Sequence, residues 1–208
     1  CRRTRLQMRK GLIFVVSAPS GAGKTTLCKK VVELLPGIRH SISYTTRPPR
    51  VNETDGIDYH FVSEEVFVKM VERGEFVEWA LVHGNRYGTA EETLRRYEAE
   101  GIDIILDIDV QGAEQIKQKL NRGIYIFVLP PNPEELEKRL RGRGTDGDEV
   151  IKARLSNARE EIGQIVNYDY IIINDIINDA VARLSSIITA ERCRGDSVLP
   201  QIKEDWGI

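Results

Sequence analysis

Residues 18–25 read Ala-Pro-Ser-Gly-Ala-Gly-Lys-Thr, a pattern suited to holding a nucleoside triphosphate. Gly21 and Gly23 allow the backbone to curl so that its N–H groups converge on phosphate oxygens. Lys24 can reach the β- and γ-phosphates, and the Thr25 hydroxyl can ligate Mg²⁺. An apolar run before the loop and a helical stretch after it give strand, loop and helix in order, and the positive end of a helix favours an anion. Ala18 stands where the strict pattern has glycine, and it too is small. The ATP-binding candidates are therefore Ala18, Pro19, Ser20, Gly21, Ala22, Gly23, Lys24, Thr25 and Thr26. A phosphate loop does not by itself fix a reaction, so the acceptor must be read elsewhere.

Arg47 and Arg50 flank two prolines in Arg-Pro-Pro-Arg. Proline stiffens the chain, and two guanidinium forks on a stiff loop suit a phosphate monoester. The competing reading is a solvated basic turn. Asp107 and Asp109 end an apolar run, at the strand end where open α/β sheets gather their ligands; for Asp107, capping of the following helix is the alternative. Glu78 beside Trp79, taken alone, reads as a surface carboxylate. Residues 139–159 are rich in arginine around Gly-Arg-Gly-Thr-Asp-Gly-Asp and are expected to form a mobile lid. Pairing with Glu137, Glu149 or Glu160 is the rival role for any one of these arginines. His40, His60 and His83 are expected to be structural, and no side chain stands out as a general base.

These groups need a scaffold. Four short runs, Gly11–Ser17, Ile102–Asp109, Ile124–Leu129 and Tyr168–Asn174, are continuously apolar, as strands of a parallel sheet covered on both faces are. Helical stretches follow each: Lys24–Leu35, Gly112–Leu120, Pro133–Leu140 with Asn132 as N-cap, and Asp179–Arg192. The alternation implies an α/β fold with a parallel sheet. The expected division is a basic, disordered arm over 1–10, a nucleotide-binding core over 11–37, 98–138 and 160–195, a mixed-sheet insertion over 38–97, the lid over 139–159, and a tail over 196–208.

The chain has 208 residues, a net charge of −2 and a pI near 6.0, so no overall basic excess suggests nucleic acid as a partner. Three cysteines, Cys1, Cys28 and Cys193, match no metal motif and read as reduced thiols of a cytoplasmic protein. No apolar run is long enough to span a membrane, and the basic start lacks the apolar stretch of a signal peptide.

Five blocks, Ser43–Arg50, Asp58–Val62, Glu75–Ala80, Asn85–Thr89 and Leu106–Gly112, resemble in sequence and order the signature segments of bacterial-type guanylate kinases. With the phosphate loop and lid, the resemblance spans about Gly11 to Arg192. It implies a P-loop NTPase-type parallel sheet flanked by helices, with a small mixed α/β GMP-binding insertion and a mobile helical lid. The implied activity is direct in-line transfer of the ATP γ-phosphate to GMP, with dGMP as a further acceptor and Mg²⁺ as cofactor. Arg47, Arg50, Tyr59 and Tyr87 would hold the GMP phosphate, and Ser43, Glu78 and Thr89 would read guanine. Asp107 would orient Mg²⁺, directly or through water, and reach towards GMP. Arg139, Arg143 and Arg154 would act with Lys24 on the transferring phosphate, and Asn174 would lie near adenine. Thr89 replaces a common serine but keeps the hydroxyl. The chemistry agrees, because guanine offers N1–H and a 2-amino group on one edge and an ionised carboxylate only accepts. The rivals are a kinase for a phosphorylated sugar, which has no use for Glu78 and Thr89 together, and a non-catalytic interaction module, which would dispense with Lys24, Asp107 or the lid arginines. Homo-oligomerisation is left open.

Overall fold

The computed structural model describes residues 9–82, 84–142 and 147–207. Its elements in chain order are β1 (Ile13–Ser17), α1 (Lys24–Leu34), β2 (Ile38–His40), β3 (Tyr44–Thr45), β4 (His60–Phe61), α2 (Glu64–Glu72), β5 (Phe76–Val82), β6 (Asn85–Ala90), α3 (Glu91–Ala99), β7 (Asp103–Asp107), α4 (Val110–Leu120), β8 (Ile124–Leu129), α5 (Pro133–Arg141), α6 (Asp148–Gly163), β9 (Tyr170–Ile173), α7 (Ile177–Arg192) and α8 (Gly195–Trp206). Strands β2-β7-β1-β8-β9 form an all-parallel sheet, and β4-β3-β6-β5 form a smaller mixed one.

The continuous apolar runs have a direct cause. Alternate side chains of a strand point to opposite faces, and both faces of the large sheet are covered. Phe14, Val16, Ile105, Ile126 and Ile172 pack with Leu27 and Val31 of α1 and Leu184 and Ile188 of α7. Ile13, Val15, Ile104 and Leu106 pack on the other side with Leu94 of α3 and Ala113 and Ile116 of α4. Local signals end the helices. Asn132 Oδ1 accepts from Glu135 N at 2.7 Å with Pro133 at the first turn. Helix α4 starts at Val110, earlier than Gly112, because Asp109 Oδ1 accepts from Gly112 N at 2.8 Å. Asp109, not Asp107, is thus the cap.

Three expected boundaries differ. Residues 38–40 were expected in the insertion but pair in parallel with β7 at the edge of the large sheet. The arm was expected to run to residue 10, yet Arg9 is anchored: its NH2 meets both oxygens of Asp103 at 2.7 and 2.8 Å. Residues 1–8 lie outside the described residues. The tail holds a helix, α8, which carries Pro200 inside it.

Asp103 is fully buried at the start of β7. It also accepts from Leu12 N at 2.8 Å and from Arg192 Nε at 2.7 Å. A buried carboxylate needs this many donors, because desolvation without partners is costly. The cluster joins the chain's start, the sheet and α7 at the strand end opposite Asp107. Arg192→Ala is expected to lower stability by about 1.5–3 kcal/mol, read as a fall in Tm, with kcat unchanged. A Tm equal to that of the parent would show that Asp103 does not depend on the pair.

Candidate active site

The loop between β1 and α1 is set by backbone conformation. Gly21 and Gly23 have φ of +94° and +87°, values that side chains disfavour. Gly23 is doubly constrained, because a Cβ there would stand 2.6 Å from Asn174 Nδ2. That nitrogen donates to Ala22 O at 2.8 Å and so props the loop from beyond β9. Asn174 Oδ1 is buried with no hydrogen-bond partner among the described residues. Ala18 is buried and has no positive φ, so the departure from glycine costs the loop nothing. Helix α1 has no side-chain cap and no acidic residue in its first turn. Its first N–H groups therefore face solvent as an open anion site, flanked by the exposed Thr25 and Thr26.

Lys24 Nζ lies 2.9 Å from Asp107 Oδ1 and also donates to Ile108 O. Burial would raise the Asp107 carboxyl, but the Lys24 charge, with the His40 and Thr25 side chains adding, outweighs it and holds it well below the usual range. Burial would lower the Lys24 ammonium, and Asp107 reverses this, leaving it raised. His40 Nε2 stands 3.9 Å from Asp107 Oδ2, too far for a hydrogen bond. An ionised carboxylate and a threonine hydroxyl are hard oxygen donors, the type Mg²⁺ prefers.

Across the cleft, Arg47 is preorganised by a residue the sequence did not bring forward. Its NH2 meets Glu53 Oε1 and Oε2 at 2.8 and 2.9 Å, and its Nε donates to Tyr87 OH at 3.2 Å. Glu53 Oε2 also accepts from Arg50 N at 2.8 Å; the Arg50 side chain is exposed. The only signal for Glu53 was its place three residues beyond Arg50 in a proline-stiffened turn. The Arg47 guanidinium carbon lies 5.5 Å from the centre of the Tyr59 ring, and the Tyr59 and Tyr87 rings meet edge-on at 5.9 Å. Burial, with the nearby Asp107 charge, raises the Tyr59 hydroxyl.

Strand register assembles the expected base-reading residues. Glu78 of β5 pairs with Thr89 of β6, and Tyr44 of β3 pairs with Gly88. One step on from that pair, Ser43 falls opposite Thr89. Directly opposed residues share a sheet face, so the three polar groups stand in a row. Glu78 is buried, and Thr89 Oγ1 donates to its Oε1 at 2.6 Å. Burial, with the Asp109 charge adding, pushes the Glu78 carboxyl up to about 7 against the Thr89 hydrogen bond. Glu161 of α6, which the sequence reading passed over, is likewise raised to about 7 by burial and Asp109.

Helices α5 and α6 touch the loop. Arg154 NH1 donates to Ser20 Oγ at 3.2 Å. Arg139 donates to Glu135 Oε1 at 2.9 Å and to Asn174 O at 3.0 Å, so its helix-surface pairing and its approach to the site coexist. Leu136 and Leu140 of α5 lie against Gly21, where a Cβ would stand 3.2 and 3.0 Å from their Cδ atoms. Arg141 pairs with Glu137 and Asp148 at 2.8 and 2.6 Å. Arg143 and His83 lie outside the described residues.

A parallel sheet feeding a glycine loop and helix, with a lysine–aspartate pair beside it and a second polar pocket opposite, defines the phosphate-loop class of α/β nucleotide-binding proteins. Comparison with known proteins narrows this. The guanylate kinase family profile matches residues 10–191. A guanylate kinase of Syntrophotalea carbinolica is 57% identical over 91% of this chain and 90% of its own length. One of Geobacter metallireducens is 53% identical over 94% and 97%. The crystal structure of the guanylate kinase from Anaplasma phagocytophilum superposes with a TM-score of 0.78 at 33% identity, covering 94% of this chain and 95% of that one. The chain belongs to the guanylate kinase family. No helix among the described residues is long and apolar enough to cross a membrane.

The Glu78 environment can be titrated directly. Hydrogen bonding to the ionised form lowers a carboxyl pKa, so Thr89→Val is expected to move the Glu78 titration upwards from about 7. Carboxyl ¹³C NMR of the ligand-free protein, assigned with Glu78→Gln and Glu161→Gln, reads it. An unchanged or lower midpoint would show that the Thr89 contact does not hold the charge.

Proposed function

We propose that this chain is an ATP:GMP phosphotransferase, giving ADP and GDP by direct in-line transfer, and that it serves purine nucleotide metabolism in the cytoplasm. The observation that carries the reading is Glu78, a buried carboxylate bonded to Thr89 of the neighbouring strand in the small sheet. An acceptor-only group fits the two donors of guanine. Adenine has no donor at N1 and no 2-amino group, so AMP would leave the carboxylate desolvated and unpaired, a strong basis for rejection. Ser43 contributes to the same base contact, and dGMP, with the same base and phosphate, is the second expected acceptor.

The GMP phosphate is assigned to Arg47, Arg50, Tyr59 and Tyr87. Glu53 holds Arg47 NH2 with both carboxylate oxygens, and a phosphate oxygen is a fitting substitute on that nitrogen. ATP is assigned to the loop 18–26, with Asn174 buttressing Ala22 from the adenine side. Lys24 turns from Asp107 to the β- and γ-phosphates. Thr25 and Asp107 would hold Mg²⁺, the latter directly or through water, and Asp107 would also stand beside GMP. That ion supplies charge neutralisation and orientation of the phosphate oxygens when bound. Arg139, Arg143 and Arg154 are assigned to the charge on the transferring group, on a lid whose closure excludes water.

An ADP-release assay with GMP, dGMP, AMP, UMP and ribose 1,5-bisphosphate tests the reading. GMP and dGMP are expected to turn over far faster than the rest; efficient use of the sugar bisphosphate would overturn it. Lys24→Ala is expected to abolish most turnover in a folded protein, and a near-parent kcat would sink the ATP-site assignment.

Glu78→Gln is expected to lower kcat/KM for GMP by about 2–4 kcal/mol, because an amide must oppose one donor with another. The pH dependence has a definite sign. Below about 7 the free enzyme carries Glu78 protonated, with one acceptor lost and one donor gained, so KM for GMP should rise as pH falls. The GMP phosphate itself titrates at about 6; the part owed to Glu78 is the part that vanishes in Glu78→Gln. Identical profiles in both proteins would remove Glu78 from base recognition.

A further inference from the structure

The four-stranded sheet ends at β5, and an edge strand leaves a row of backbone groups without a strand partner. Side chains of α4 fill that role. Gln115 Oε1 accepts from Trp79 N at 3.1 Å, and Gln115 Nε2 donates to Trp79 O at 2.8 Å. One turn on, Lys119 Nζ donates to Phe76 O at 2.6 Å. One turn back, Gly112 leaves room that a Cβ would close, since it would stand 2.7 Å from Glu78 Oε2. Positions 112, 115 and 119 fall on one stripe of the helix. A carboxamide sets a donor and an acceptor side by side as a peptide unit does, so Gln115 stands in for one residue of a further strand. The contact falls at Trp79, next to Glu78, just past the irregular register between Phe76 and Glu78. The clamp therefore holds the first regular pairs of β5 with β6, next to that break.

Helix α4 is also capped by Asp109, two residues beyond Asp107. One rigid element therefore carries both the end of β7 and the clamp on β5. We infer that Gln115 is a positioning residue for guanine selection: by binding both backbone groups of Trp79 it fixes Glu78 relative to the phosphate loop. This rests on the reading of Glu78 as the guanine contact. Deleting the clamp should loosen the base site and leave the triphosphate site intact.

The test is a double-mutant cycle. KM and kcat for GMP, AMP and ATP would be measured in the parent, Gln115→Glu, Gln115→Met, Glu78→Gln and Glu78→Gln/Gln115→Glu, with the exposed Gln118→Ala as control and Tm measured throughout. Gln115→Glu keeps the acceptor and loses the donor to Trp79 O; Gln115→Met loses both. Each is expected to raise KM for GMP roughly tenfold, as a lost hydrogen bond with a carbonyl left unpaired would. Each should also narrow the preference for GMP over AMP and leave KM for ATP within about twofold. In the Glu78→Gln background Gln115→Glu should add less than about twofold, because contacts acting through one residue are not additive. Equal losses in both backgrounds, or equal rises in KM for both nucleotides, would overturn the inference. A Glu78→Gln protein with parent GMP kinetics would instead overturn the guanine reading beneath it. Amide hydrogen exchange of the parent protein gives a reading free of mutation: Trp79 N–H should be as protected as the amides of α4, and exchange at the rate of an open strand edge would contradict the clamp.

Discussion

The ion pair between Lys24 and Asp107 is the contact on which the site is organised. It joins the first residue of α1 to the last of β7, and it can form because β1 and β7 run parallel in a register that sets Val16 beside Asp107. Both side chains are largely withdrawn from solvent, with 16% and 10% exposure, so neither charge tolerates the loss of the other; removing one partner of such a pair costs about 3–5 kcal/mol. The two groups neutralise each other. On the proposed reading, phosphate is the alternative partner for the ammonium and the metal for the carboxylate.

The acceptor pocket follows the same logic. Glu53 accepts from Arg47 NH2, Tyr87 OH accepts from its Nε and Pro48 O from its NH1. The arginine is held in place before any phosphate arrives, which lowers the ordering cost of binding. Glu78 is different in kind. It has a hydroxyl partner and no ion pair among the described residues, and burial pushes it up to about 7. A carboxylate held this way gains from two neutral donors and loses when they are missing, which is why guanine reading is proposed for it. Net charge of −2 hides this arrangement, because the charges that matter are paired locally.

The parts legible in the sequence were those fixed by local chemistry. Gly21 and Gly23 announced the loop because only a backbone free to adopt positive φ makes that curl, and Asn132-Pro133 announced a helix start. The doubly covered strands showed as unbroken apolar runs. The parts that were not legible depend on contacts between distant segments. Ile38–His40 is a three-residue edge strand whose Arg39 is exposed, so it lacks the continuous apolar signature of its neighbours. Arg9 is unremarkable until Asp103 is placed beneath it. Glu53 and Gln115 are ordinary polar residues by type; their roles come from a turn that folds back on Arg47 and from an edge strand that lies along α4. A shared role for Glu78 and Thr89 was expected from resemblance alone, and the physical reason they stand together is cross-strand register.

The direct test of the central claim is the affinity for ATP with and without Mg²⁺, by calorimetry, in the parent protein and in Asp107→Asn. If nucleotide and metal take the Lys24–Asp107 pair apart between them, the variant will bind metal-free ATP more tightly than the parent does, because Lys24 is released and a buried negative charge is gone. The gain in affinity that Mg²⁺ brings will shrink. Weaker metal-free binding together with an undiminished Mg²⁺ gain would contradict the account.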